Sequence, residues 1–199
     1  LALDRRCWSI SQKAGGRAVG LLSKDIRSLD DLLIQGLGEL LYTERRIAKT
    51  LAALAGKVSD PALRRDLEDG LAASNGNIAQ IEEVCRRRDC RPHVAESPAI
   101  DGIFISAEEL TGEIDDDHVL DIAIAGAVQA AAAYTAARYA GLITSLVGVG
   151  RTDCCRLLQA GLAHHQRVAD MLRLLAEKRL NPRALGRGGR GPLPVAIAS

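Results

Sequence analysis

The segment from Ile122 to Gly150 contains one charged side chain, Arg138, and a helix that apolar has to be surrounded by other elements. Its middle, AVQAAAAYTAARYAGL (127–142), is built on alanine, with Thr135 at its centre and no carboxylate in reach. About 20 apolar residues suffice to cross a bilayer. A span is nevertheless disfavoured: the run is rich in alanine and glycine, holds Gln129 and Thr135, and sets Arg138 near its centre. A charge there costs roughly 2.5–3.5 kcal/mol on insertion scales. We expect the central helix of an all-α bundle and no membrane span.

Three further segments share the 3.6-residue apolar period. The first is predicted from Leu29 to Ala55, with Ser28 and Asp31 as a capping box, a stripe through Leu33, Leu40, Ile47 and Leu51, and Gly56 as its stop. The second starts at Ser59-Asp60-Pro61, a cap followed by proline at the first helical position, and carries Leu63, Leu67, Leu71, Ile78, Ile81 and Val84. The Ile122 helix begins after Asp115-Asp116-Asp117, acids suited to the positive end of its dipole, and ends near Gly148 to Gly150. A last helix begins near Thr152-Asp153, follows Leu158, Leu162, Ala169 and Leu172, and is expected to end at Asn181-Pro182. Between Pro92 and Asp117 the connection is too long for a hairpin, and SAEEL (106–110) predicts one short helix within it. Two helical hairpins joined by such a crossover is the connectivity of ferritin-like four-helix bundles.

These elements divide the chain into a basic N-terminal extension (1–24), the bundle (25–181) and a Gly/Arg-rich tail (182–199), the two ends read as flexible. With 199 residues, 47% of them hydrophobic, the chain can bury one full core. Lys and Arg number 26 against 25 Asp and Glu, so no global charge favours nucleic acid or an acidic partner. Arg86-Arg87-Arg88 and the tail arginines Arg183, Arg187 and Arg190 read as a solvated face and a soluble tail.

The five cysteines, Cys7, Cys85, Cys90, Cys154 and Cys155, include no C-x-x-C pair and no zinc spacing. Cys85 and Cys90, five apart on a helix, are expected to point in different directions. Together with an N-terminus that has no apolar run after Arg5-Arg6, this predicts a cytoplasmic protein with reduced thiols.

Five blocks taken in order, LDDLLIQGLGELLYTERRI (29–47), SDPALRRDLEDGLAASNGNIAQIEEV (59–84), AIDGIFISAEEL (99–110), VLDIAIAGAVQAAAAYTAARYAGL (119–142) and LLQAGLAHHQRVADML (157–172), resemble the YciE/YciF group of ferritin-like bacterial stress proteins. The resemblance covers roughly residues 28–178. It implies that the family's first-helix glutamate falls on Glu44 and its second-helix acids within Gly70 to Ser74, with Asn77 following. Its third-helix E-H-Y-E falls on Ala132-Ala133-Tyr134-Thr135, and its fourth-helix acids on Ala163-His164-His165 and Asp170. Most of the inward carboxylates that the resemblance leads one to expect are missing.

A di-metal carboxylate site takes a glutamate from each of two helices and a Glu-x-x-His pair from each of the other two. Here no glutamate stands three residues before any of the four histidines, and the nearest imitation, Asp115-x-x-His118, lies at a helix start where a cap is the simpler role. Glu44 lies on an inward stripe and needs a partner, for which Arg45 and Arg138 are the arginine candidates. His165 shares an inward stripe with Leu158, Leu162, Ala169 and Leu172. Glu44 and His165 are therefore the core of any residual metal site, with Asp170 and Asp69 at its margin, and iron or manganese is its occupant only in that alternative. The expectation is a non-catalytic, stress-associated bundle without cofactor, a homodimer with a structural or interaction role toward an unidentified protein partner.

Overall fold

Three of the four long helices start on a side chain that satisfies free amides. The computed structural model describes residues 26–90 and 95–187, so the N-terminal extension, Cys7 and the tail from 188 onward lie outside the described residues. Helix α1 (Leu29–Ala55) opens with the capping box: the Asp31 amide donates to Ser28 Oγ at 3.1 Å while the Ser28 amide donates to Asp31 at 2.9 Å. Helix α2 (Pro61–Arg87) is capped by Asp60, which accepts from the Ala62 and Leu63 amides, with Pro61 in the first turn where its missing N–H costs nothing. Asp116 does the same for α4 (Asp117–Gly148), accepting from the His118 and Val119 amides.

Helices α1 and α2 form one hairpin, α4 and α5 (Thr152–Leu175) the other. The hairpins meet along α2 with α5 and α1 with α4, and the crossover helix α3 (Pro98–Gly112) lies over α4 and α1. The architecture is the expected all-α, ferritin-like four-helix bundle.

Two elements depart from the sequence expectation. The crossover helix runs the whole way from Pro98 to Gly112 rather than over 106–110, because Ile100 and Phe104, one turn apart, are buried and anchor its first half. The last helix does not stop at Asn181-Pro182. A π-helical turn, Ala176–Leu180, widens the backbone so that the Asn181 amide reaches back to the Ala176 carbonyl, and α6 (Asn181–Arg187) follows. The extra width accommodates Pro182, whose ring and missing N–H would break a regular α-turn. Residues 182–187 therefore belong to the bundle: Arg179 donates to Asp60 Oδ2 at 2.7 Å, and Arg183 binds the same oxygen.

The core is divided in two along the bundle axis. One apolar half gathers Ile47, Leu51 and Leu63 with Phe104, Ile124 and Leu172, and the other gathers Leu33, Leu37 and Ile81 with Leu142, Leu146 and Leu158. Between them, at one level, every long helix places a buried polar side chain: Glu44 on α1, Ser74 and Asn77 on α2, Thr135 on α4, His165 on α5. Helix α4 is long and apolar enough to pass as a membrane span, yet its buried face here lies against α1, α3 and α5.

Candidate functional site

The polar level is organised around one oxygen atom. Glu44 is fully buried, and its Oε1 accepts from the Tyr139 hydroxyl at 2.7 Å, from Asn77 Nδ2 at 2.9 Å and from His165 Nε2 at 2.8 Å. A carboxylate only accepts, so His165 carries its proton on Nε2 in this arrangement. Burial pushes the Glu44 carboxyl up, but the His165 and Tyr139 hydrogen bonds outweigh it and hold the group below the usual glutamate range. Burial and the adjacent Glu44 charge both push Tyr139 upward, so the phenol stays protonated and donates. Its ring stacks on His165 at 5.8 Å, and His164 meets His165 edge-on at 5.1 Å.

Tyr139 fits because Gly161 faces it. A Cβ at Gly161 would stand 2.5 Å from the tyrosine ring, far inside contact distance, so only glycine leaves room for a buried phenol at this height of α4.

Opposite the carboxylate the site is bare. Glu44 Oε2 and Ser74 Oγ are buried with no hydrogen-bond partner, the serine standing near the carboxylate without reaching bonding geometry. Thr135 turns its hydroxyl away, donating to the Ala131 carbonyl of its own helix at 2.7 Å. Beside this face lies a cavity of about 20 Å³ whose walls include Gly70, Ser74, Ala132, His164 and His165. It has room for one water-sized species.

The residues match the family model "Domain of unknown function (DUF892)" over residues 28–185. The chain belongs to this family. Among curated relatives, Protein YciF of Escherichia coli (strain K12) is 24% identical over 161 residues, 80% of this chain and 97% of that protein. Among solved structures, YcfI from Rhodopseudomonas palustris, for which a structural role is suggested, is 32% identical with a TM-score of 0.74, covering 76% of this chain and 96% of that one. The E. coli stress protein YciF gives 24% identity and a TM-score of 0.75 over 78% and 99% of the two chains. A Xanthomonas campestris protein, 15% identical with a TM-score of 0.64, shares the fold.

In this YciF-type chain the sequence-predicted site residues separate into two pairs. Glu44 and His165 are brought together in the core, whereas Asp69 and Asp170 are exposed on α2 and α5 and take no part in the polar level. Among the described residues no three His, Cys, Asp or Glu side chains converge as a metal-binding group. The donor set thus lacks the several anionic oxygens that two hard cations need, and a di-metal centre does not fit it.

Neither proposed arginine serves Glu44. Arg45, one residue on and about 100° round the helix, pairs with Glu82 at 3.0 Å on the surface, and Arg138 pairs with Glu39. Of the alanines, Ala131 and Ala132 are buried and allow close packing, while Ala133 is exposed.

Two features escaped the sequence reading. Tyr139 is the largest fully buried side chain among the described residues. Asp121, also buried, accepts from the Ser59 amide at 2.8 Å, the Ser59 hydroxyl at 2.7 Å and the Asp60 amide at 2.9 Å, holding the α1–α2 turn onto α4.

A broader groove of about 530 Å³ runs between α1, α3 and α4. Three of the charged residues on its walls pair with one another: Arg46 binds Asp101 at 3.0 Å and Glu108 at 3.4 Å, and the Tyr42 hydroxyl donates to Asp101 at 2.7 Å.

Proposed function

We propose that this chain is a non-catalytic helical bundle of the stress-associated YciF type, with a structural or interaction role, in which a hydrogen-bonded core replaces the ferritin-like di-metal centre. The observation that carries the reading is the loading of Tyr139, Asn77 and His165 onto the single oxygen Glu44 Oε1, opposite Ala132 and Thr135. A carboxylate that accepts three donors inside a packed core serves cohesion. The suggested structural role of YcfI and the description of E. coli YciF as a stress protein support the same reading.

The working form is a cytoplasmic homodimer without cofactor that engages another protein, not nucleic acid or a membrane. Exposed Leu29 and Leu32 at the start of α1 and exposed Val147 at the end of α4 lie at the same end of the bundle, where Leu29 approaches Gly148. Such apolar exposure supports association.

A second reading rests on the unpartnered Glu44 Oε2 and Ser74 Oγ: one iron or manganese held weakly at Glu44 and His165. Elemental analysis of protein purified from its own host separates the two. The first reading expects no stoichiometric metal. One equivalent that is lost in Glu44→Gln supports the second, and two irons or manganeses per chain overturn the first outright.

A further inference from the structure

Helix α2 ends in a Schellman turn whose left-handed position is taken by an aspartate. Asp89 has φ 48°, the Cys90 amide donates to the Cys85 carbonyl at 3.0 Å, and the Asp89 amide donates to the Arg86 carbonyl at 3.1 Å. In this motif the residue after the left-handed one folds back over the residue three places before the cap. Here both are cysteines. A continuous helix would have set them on different faces, as the sequence suggested; the left-handed turn makes them neighbours, the Cys90 thiol opposing ionisation of Cys85.

The two thiols are reduced and unequal. Cys85 is 2% exposed within the apolar half that also holds Ile81, Leu142 and Leu158, and Cys90 is half-buried against it. Cys154 and Cys155 occupy the same half but are engaged elsewhere. Cys154 Sγ donates to Asp153 at 3.6 Å, and Cys155 Sγ lies 3.6 Å from the Arg151 carbonyl and 3.8 Å from that of Ile143. Beside the pair stands Arg88, its side chain 5% exposed, ion-paired with Asp30, with its buried Nε unpartnered and its charge favouring the Cys85 thiolate.

We propose that Cys85 and Cys90 form a reversible intrachain disulfide that locks the end of α2, Cys90 reacting first with a peroxide and Cys85 resolving it. The Cys90 thiolate attacks a peroxide oxygen; the O–O bond breaks, giving the sulfenic acid and hydroxide, which becomes water with the proton released from the Cys90 thiol. Cys85 sulfur then attacks the sulfenic sulfur, the S–O bond breaks, and the departing hydroxide leaves as a second water with the Cys85 proton. Two thiols lose two electrons and one hydrogen peroxide becomes two waters. A cellular dithiol reverses the bond by exchange. The order follows from access, reinforced by burial that pushes the Cys85 thiol up to about 12. Transient bonds of this kind are the ones that occur in reducing compartments.

The test uses the full-length reduced protein, hydrogen peroxide as oxidant, alkylation to quench, and mass spectrometry. Trypsin cuts after Arg86, Arg87 and Arg88, so the Cys85 and Cys90 peptides separate unless a disulfide joins them. The expected result is an intact mass lower by about 2 Da before alkylation, two fewer alkyl groups after it, and the joined peptide pair, all reversed by dithiothreitol. In Cys85→Ser, Cys90 gains oxygen instead of losing hydrogen; in Cys154→Ser the joined pair still forms. Before oxidation, iodoacetamide labels Cys90 faster than Cys85 by on the order of 100-fold or more. Oxidation that leaves both thiols alkylatable, joins Cys90 to Cys154 or to another chain, or proceeds unchanged in Cys85→Ser overturns the proposal.

Discussion

Among the described residues three carboxylates are buried, Glu44, Asp60 and Asp121, and the last of these is held in the opposite way to the first. Asp121 spends both oxygens on three donors that all belong to the Ser59–Asp60 turn. Glu44 gathers donors from α2, α4 and α5 on one oxygen and leaves the other bare. A carboxylate both of whose oxygens accept from a single turn is matched to the turn it clamps. A carboxylate with an idle oxygen beside an orphaned serine and a small cavity sits in a site simpler than a carboxylate requires. The difference marks Asp121 as a staple of the fold and Glu44 as the remaining polar centre of the α1–α5 core.

The widest gap between them is expected in amide substitution. Asp121→Asn must turn an NH2 group toward an N–H or O–H donor and is expected to cost roughly 2–3 kcal/mol in chemical denaturation. A loss below about 0.5 kcal/mol would make Asp121 no more than a spectator. Next comes Gly161→Ala, which drives a methyl into the Tyr139 ring and is expected to cost about 1–3 kcal/mol. Near-ultraviolet circular dichroism reports whether Tyr139 leaves the Glu44 level; an unchanged spectrum would mean that the ring is not held there.

The smallest effect belongs to Glu44→Gln. The amide keeps Oε1 for its three donors and points NH2 where no donor stands, so the cost at pH 7 is about 1 kcal/mol. Because the folded Glu44 carboxyl lies below its ordinary value, its ionised form contributes stability above the unfolded glutamate value of about 4.3. That contribution is lost as pH falls through the folded value. Wild type and Glu44→Gln are therefore expected to converge on acidification, measured as denaturation midpoints from pH 7 to pH 3. Divergence on acidification would reverse the assignment of charge to Glu44.

Local chemistry was legible in the sequence. Ser28 with Asp31, Asp60 with Pro61, and the aspartates before α4 announce helix starts because a cap and its amides lie within a few residues. The inward placement of Glu44 and His165 followed from stripe periodicity for the same reason. What stayed hidden depends on distant partners or on backbone that departs from the regular period. Asp121 reads as one more acid near a helix start, since its partners are 61 and 62 residues away. Gly161 matters only because of Tyr139 on another helix. The Cys85–Cys90 juxtaposition turns on a non-glycine residue in left-handed conformation, for which Asp89 gives little warning. Pro182 misled in the usual direction, because a π-helical turn is invisible to a rule written for α-helices.

The Asp60 carboxylate has one further consequence, for the order in which the chain is assembled. One oxygen caps α2 from the moment that helix forms, but the other is bound by Arg179 and Arg183, 119 and 123 residues later. During synthesis, which delivers the N-terminal hairpin first, that oxygen must remain hydrated until the last helix leaves the ribosome. The closing of this end of the bundle thus waits for the last helix, and a chain cut before Arg179 would keep the α2 cap on Oδ1 while leaving Oδ2 without its two arginines.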